Sequence, residues 1–393
     1  MIRLGDITTV TAGQAAPKDF SISGTPFIRA GHLEDLVSGK GLLQIPKVNE
    51  EIAKKNRLKK LPKGSILFAK SGMSAKKNRI YICEEDTYFV SHLAAILPSD
   101  NFDTNFLARY LNWYNPTNLI LDDAYPSIRL EDINNLEIPL PNLSTQQKIA
   151  AILDKADELR QYNKQLIEKY DALMQSLFLN MFGDPVRNEK GWEICTFSQI
   201  LSKIESGWSP VCENKPRVND KEWAVLKLGS VSYGTYNPKE NKKYEFDVPK
   251  TKQDCEVKKG DLLFTRKNTY HMVGTTVFVY ETSPRLLLPD TVFRLLYRKE
   301  KASPIFLYYL LNHNKFIKEI QSLASGTSGS MPNISKAKLL AKETILPPIN
   351  LQNQYAERVQ LIETQKQKAQ EALTKSEDLF QGLLQQAFKG EIN

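Results

Sequence analysis

Histidine and cysteine are both scarce here: the 393 residues hold four of each. Cys83, Cys195, Cys212 and Cys255 form no close pair, so neither a zinc-ligand spacing nor a disulfide framework is present. That usage fits a reducing cytosol. His32, His92, His271 and His313 are scattered and also lack metal-ligand spacing. No apolar run approaches the roughly 20 residues of a membrane span. Asp6 stands where a signal peptide needs an apolar stretch, so a cytoplasmic protein is expected. A Gly-rich phosphate loop followed by Lys-Ser or Lys-Thr is missing too. Tyr125, Pro126 and Ser127 do not follow the order of the Pro-Pro-Tyr box of amino-methyltransferases, and no Gly-rich adenosylmethionine site precedes them. Asp122 and Asp123 read as turn residues rather than a metal pair. With no catalytic constellation and no metal site, the expectation is a binding device rather than an enzyme.

What is present is ordinary globular material, 41% hydrophobic and 25% charged, long enough for two or three domains. Lysine and arginine number 53 against 45 acidic residues, for a net charge of +8. Such a balance suits a polyanionic partner, because cations that neutralise phosphates release counterions. It equally suits a soluble protein that happens to be basic, so the position of the charge must decide.

The chain repeats itself about 206 residues downstream. Pro126, Ser127 and Ile128 match Pro332, Asn333 and Ile334; Ala150 matches Ala356, Leu173 matches Leu379, and Phe182 matches Phe388. Earlier, the run from Gly64 to Lys70 echoes the run from Gly260 to Arg266 at a smaller offset. Two long copies make a pseudo-dimer rather than a solenoid. Each copy begins with mixed short strands and helices. Strands are expected over 65–69, 79–83, 261–265 and 276–280, and short buried helices over 105–112 and 305–312.

Each copy ends in a long helix. Ile149, Ile152, Ala156, Leu159, Leu166, Tyr170, Leu173 and Leu177 fall at alternating steps of three and four, a coiled-coil seam. Ser144 or Thr145 is the expected N-cap, and Gly183 with Pro185 the stop. In the second helix Tyr355, Ile362, Ala369, Ala372, Leu379 and Leu383 hold the seam, interrupted by Arg358, Gln365 and Ser376. Val359, Leu373, Phe380 and Leu384 widen its flank. Each helix is expected to run about 33 residues, roughly 50 Å. The fold class is therefore α+β, two pseudo-symmetric mixed domains joined by two long antiparallel coiled-coil helices. The expected boundaries are 1–144 and 184–350 for the domains, and 145–183 and 351–393 for the helices. Asn163 either fixes the register of the seam or sits at its wet edge.

Polar, cationic loops follow matching strands in both copies. The first carries Lys70, Ser71, Lys76, Lys77, Asn78 and Arg79; the second carries Arg266, Lys267, Asn268, Thr269, Tyr270 and His271. Cations with Ser, Thr or Asn are the side chains that contact phosphates and base edges. One such loop alone is a solvated hairpin; the same character twice, with different residues, points to two readers of different sequences. Arg29 and Lys227 follow equivalent strands and either face a groove or snorkel along the core edge. The cationic run 54–60 either tracks a backbone or is an exposed helix face. The loop 325–330 reads as flexible and polar.

The series as a whole resembles the specificity subunit of type I restriction–modification systems. The resemblance is carried by the stretch from Ile138 to Ala150 with its helix, by the stretch from Leu346 to Ala356 with its helix, and by the Gly64 and Gly260 strand openings. It implies two target-recognition domains, each reading one half of a bipartite, asymmetric double-stranded DNA site. The paired helices would set the unread spacer and dock two modification methyltransferase subunits, with restriction subunits joining through these. Methylation and cleavage would lie in the partners, with their adenosylmethionine, ATP and magnesium, leaving this chain without a cofactor. A specificity subunit for a methyltransferase-only system, or for a fused nuclease–methyltransferase, would have the same sequence character. A coiled-coil scaffold that never touches DNA is the alternative of a different class.

Overall fold

The computed structural model of the chain describes residues 1–326 and 331–391, so most of the 325–330 loop, residues 327–330, lies outside the described residues. The chain divides into two compact units. Unit 1 is Met1–Lys164 with Glu371–Asn393, and unit 2 is Gln165–Gln370. Each unit takes in part of both long helices, where the sequence reading kept helices and domains apart.

The two units are built on one plan. In unit 1 an antiparallel sheet runs in the order Val10–Ala12, Leu93–Ile96, Ile66–Ala69, Tyr81–Ile82. A second sheet centres on Thr25–Ile28, antiparallel to Lys47–Val48 and parallel to Tyr88–Phe89. Unit 2 repeats both. Its four-stranded sheet is Leu201–Ser206, Val292–Tyr297, Leu262–Thr265, Thr276–Phe278. Its three-stranded sheet centres on Ala224–Leu226, between Asn241–Lys243 and Leu286–Leu287. A short antiparallel pair closes each unit, Ile2–Arg3 on Glu137–Ile138 and Glu193–Thr196 on Glu343–Leu346. Ile66–Ala69 and Leu262–Thr265 are buried along their whole length, which is why these runs are apolar without alternation.

Gly13 and Gly207 mark a close approach common to both units. A Cβ would lie 2.1 Å from the carbonyl oxygen of Phe89 at the first and 2.1 Å from that of Leu288 at the second. Only glycine lets the backbones come so near.

The short helices form at Thr104–Tyr114 and Pro304–Leu311. The long helices run Leu143–Phe182 and Ile349–Phe388, 40 residues each, longer than the sequence spacing suggested. Asn142, rather than Ser144 or Thr145, caps the first: its Oδ1 accepts from the backbone N–H of Thr145 at 2.9 Å. Gly183, at φ 76°, ends that helix as expected.

A buried glutamine in the first turns ties each long helix to its unit. Gln146 accepts from the Asp103 N–H at 2.9 Å and donates to the Pro141 carbonyl at 2.8 Å. Gln352 accepts from the Ser303 N–H at 2.9 Å and donates to the Pro347 carbonyl at 2.7 Å. The repeated Pro-rich turn and its following glutamine are thus a structural joint.

The helix seam lies one step away from its expected line. In unit 1 the buried helix positions are Ile149, Ala150, Leu153, Ala156, Asn163, Ser376, Phe380, Leu384, Ala387 and Phe388. In unit 2 they are Met174, Phe178, Met181, Phe182, Tyr355, Val359 and Ala369. Ile149 and Tyr355 keep their assigned place, while Leu177, Ile362 and Leu383 pack at its margin. Leu166 is only partly buried. Ile152, Leu159, Leu173 and Leu379 are 40–50% exposed and do not belong to the seam. The reason is that each helix packs on sheets and short helices as well as on its neighbour, which widens the buried face beyond one heptad stripe. Arg358 and Gln365 are exposed, so they interrupt nothing. The second helix is as well seated as the first.

Aromatic plugs finish the helices. In unit 1 Phe388 meets Phe106, Tyr110 and Trp113 at ring-centre distances of 5.5, 5.3 and 5.5 Å. In unit 2 the equivalent Phe182 meets Phe306 at 4.9 Å and Tyr355 at 5.3 Å. Offset and edge-on rings at these distances stabilise beyond their burial alone.

Candidate nucleic-acid interface

The loop that follows each central strand is zipped to the repeated Pro–X–Ile segment. In unit 1 the Ile128 N–H donates to the Lys70 carbonyl at 2.7 Å, the Gly72 N–H donates to the Pro126 carbonyl at 3.0 Å, and Ser71 bridges Ser127. In unit 2 the Ile334 N–H donates to the Arg266 carbonyl at 2.8 Å, the Asn268 N–H donates to the Pro332 carbonyl at 3.3 Å, and Lys267 bridges Asn333. The neighbouring strand contributes a third segment: Lys70 and Arg266 donate from their N–H groups to the carbonyls of His92 and Thr291. The two copies therefore present the same three-segment surface with different side chains. Glycine again serves the geometry, since Gly72 takes φ 76° in the first loop.

Side chains sort into outward and inward sets. Lys76, Lys77, Asn78, Lys267, Thr269, Tyr270 and His271 are exposed, and Lys70 and Ser71 partly so. Ser71 and His92 share a hydrogen bond of 2.7 Å between Oγ and Nδ1. Lys76 pairs with the exposed Asp123 at 2.9 Å, which offsets part of its charge. Tyr270 and His271 stand edge to face at 5.7 Å.

Four residues of the candidate set are committed within the protein. Asn268 is 4% exposed; its Nδ2 donates to Ser232 Oγ at 2.9 Å and its Oδ1 accepts from the Thr269 N–H at 2.8 Å. Its amide is used inside the fold and does not reach a base edge. Asn78 donates to the carbonyl of Asn112 near the end of a short helix, at 2.7 Å. Arg79 forms an ion pair with Glu34 at 2.6 Å. Arg266 is partly buried over the Phe293 ring, 5.4 Å from its centre, with a buried Nε that has no partner among the described residues.

Arg29 and Lys227 are not on the loop sheets; they follow the central strands of the three-stranded sheets. Arg29 is exposed and stacks over Phe20 at 4.9 Å, and Lys227 lies 3.9 Å from Glu240. Burial, and then the Arg29 charge, hold the neighbouring His32 below its ordinary pKa. In the run 54–60 the lysines are exposed, with Lys54 and Lys55 on the short helix Glu50–Lys55.

Some surface residues were not singled out from sequence. Ser127 and Asn333 stand beside Ser71 and Lys267, and the exposed Tyr125 and Met331 immediately precede the zipped segments. The signal was the Pro–X–Ile repeat itself, read as a landmark rather than as one wall of the surface. Among the described residues, no group of His, Cys, Asp and Glu side chains converges as a metal site. Nor is any helix there long and apolar enough to cross a membrane.

Residues 1–169 match the family model of the type I restriction modification DNA specificity domain. Over 165 residues the chain is 31% identical to the EcoEI specificity subunit of Escherichia coli, a match spanning 41% of this chain and 27% of that one. Over 281 residues it is 25% identical to the MjaVIII specificity subunit of Methanocaldococcus jannaschii, spanning 66% of this chain and 63% of that one. Both matches span less than two thirds of the relative's own length. The crystal structure of the type I system S subunit from M. genitalium superposes over 98% of this chain and 95% of that one, with a TM-score of 0.58 and 14% identity. Residues 1–169 thus carry a sequence match to the type I restriction modification DNA specificity domain, and the chain as a whole shares its fold with the S subunit from M. genitalium.

Proposed function

We propose that this chain is the DNA-reading subunit of a type I restriction–modification complex, in which each compact unit reads one half of a bipartite, asymmetric site. The observation that carries this reading is one three-segment surface built twice with different outward side chains. Unit 1 offers Lys70, Ser71, Lys77 and Ser127; unit 2 offers Lys267, Tyr270 and His271, with the partly buried Asn333 beside Lys267. The cations suit phosphates, which fix position, and the short polar side chains suit base edges, which carry sequence.

The two long helices serve as the spacer between the half-sites. At 1.5 Å per residue, helices of this length extend roughly 60 Å, ample for half-sites about one duplex turn, or 34–36 Å, apart. Their outward apolar residues, Ile152, Leu159, Leu173 and Leu379, are the proposed docking points for two methyltransferase subunits. Restriction subunits join through these. Methyl transfer and cleavage, with adenosylmethionine, ATP and magnesium, fall to the partners, and any flipped adenine is handled there because a stacked base must be extruded to react. The complex works on DNA in the cytoplasm.

The test is methylation mapping on a genome that carries this chain with its neighbouring methyltransferase. The expected result is a split motif, two short constant blocks around a fixed unread gap, lost on deletion of this chain. Methylation unchanged by the deletion, with the methyltransferase active, would overturn the reading in favour of a scaffold or an enzyme.

A further inference from the structure

Comparison of the two copies uncovers a missing cation in unit 2. In unit 1, Arg109 on the short helix forks onto the long helix, with Asp154 at 2.8 Å and Asp157 at 3.0 Å, and Arg160 adds a contact to Asp157 at 2.5 Å. Both guanidiniums lie over the Phe380 ring. The equivalent positions in unit 2 are Tyr309 for Arg109, Glu363 for Asp157, Lys366 for Arg160 and Met174 for Phe380. The equivalence is physical as well as sequential, since the Tyr309 hydroxyl meets the Met174 sulfur at 2.9 Å. Lys366, however, is engaged by Asp171 at 2.5 Å. Among the described residues no hydrogen bond or ion pair reaches the Glu363 carboxylate.

Tyr309, which stands at the Arg109 position, lines a cavity of about 700 Å³ in unit 2. Its wall includes Glu363, Tyr280, Tyr308 and Tyr309, and the buried Tyr280 hydroxyl has no partner among the described residues. Burial, the largest cause, holds the Glu363 carboxyl above its ordinary range, with Lys366 opposing the shift. A half-buried carboxylate beside aromatic rings is the setting in which a planar cation is bound well, by charge-assisted hydrogen bonds at its edge and π-contact on its face.

We propose that this cavity binds a guanidinium group from outside the chain, anchored on Glu363 and held among the three tyrosines, where it would meet the carboxylate much as Arg109 meets Asp157 in unit 1. The site is separate from the loop surface proposed to read DNA and does not depend on that reading. Its ligand is either a diffusible guanidinium compound or an arginine side chain on a polypeptide, and the chemistry of recognition is common to both.

The test is calorimetric titration of the full chain with agmatine and, separately, with the blocked peptide acetyl-Gly-Arg-Gly-amide. Saturable binding is expected, weakened roughly tenfold or more by Glu363→Gln, which removes the charged acceptor. Tyr309→Arg, which restores the arrangement of unit 1, is expected to abolish it. Should Tyr309→Arg fail to fold, Glu363→Gln alone decides. Binding of the peptide as tightly as agmatine assigns a polypeptide source; binding of agmatine alone assigns a diffusible one. Absence of saturable binding for both probes, or binding that Glu363→Gln leaves unchanged, overturns the proposal.

Discussion

Asn163 donates from its side-chain amide to the Ser376 hydroxyl at 3.3 Å, with both residues buried between the long helices of unit 1. The two polar positions that break the apolar stripe are thus each other's partners, and Asn163 is not at a wet edge. Replacing Ser376 alone leaves the buried Asn163 amide without this acceptor, whereas Ser376 keeps its own bond to the Leu373 carbonyl at 2.8 Å when Asn163 is replaced. Ser376→Ala is expected to lower stability by about 1–3 kcal/mol, and the double variant with Asn163→Leu to recover most of that loss. Denaturant unfolding of the three proteins measures the coupling; a double variant as weak as the single one would deny the pair its role.

Lys77 and Asn268 should separate binding from folding. Lys77 is exposed, so Lys77→Ala is expected to weaken DNA of every sequence and flatten the salt dependence by about one phosphate contact, near 0.9 in log–log slope. Lys76→Ala should do less, because Asp123 already offsets part of that charge. Asn268→Ala should instead destabilise unit 2 by about 1–3 kcal/mol through loss of its buried bonds to Ser232 and to the Thr269 N–H. Salt titrations of binding, beside melting curves, tell the two classes apart.

Phe388→Ala empties the centre of an aromatic cluster with Phe106, Tyr110 and Trp113. A loss of about 3–5 kcal/mol is expected for a buried phenylalanine. Amide exchange should report it in the sheets of unit 1 and leave the core around Phe182 protected.

Acid should loosen the fold through the carboxylates that cations hold down. Burial alone would raise the Asp157 pKa, but the hydrogen bonds and charges of Arg109 and Arg160 carry it below the ordinary value. Lys315 does the same for Asp184 against its own burial. A folded-state pKa below the unfolded one means that the unfolded chain takes up the proton first. The stabilisation is therefore full above the unfolded carboxylate range and drains away as pH falls towards the folded value. Melting temperatures followed downward from neutral pH should drop through that window, and Asp157→Asn should flatten the acid limb.

Much of the architecture was legible because duplication writes it twice. The matches of Phe182 with Phe388, and of Pro126 and Ile128 with Pro332 and Ile334, identify structural anchors whose contacts recur in both units. The seam was legible in period but not in phase. A heptad count assumes one narrow partner, whereas Leu153, Val359 and Phe380 are buried because sheets, short helices and the other long helix press on the same side. The loops were legible as polar and cationic, but composition cannot tell an amide that faces solvent from one that braces the loop. Asn268 is of the second kind, and only its distance to Ser232 reveals it. The Arg109 fork was equally hidden, since its carboxylates lie 45 and 48 residues further along the chain.

The membership of Glu371–Asn393 in unit 1 has a consequence for biosynthesis. A ribosome delivers the sheet around Ile66 and Ile96 early, yet Phe380, Leu384 and Phe388, which complete its core, are made only after all of unit 2. The first-made half of the protein must therefore wait, with an unfilled apolar slot, until the last-made helix returns to it. Translation that stops just after Gln370 would leave a finished second half attached to a first half unable to close.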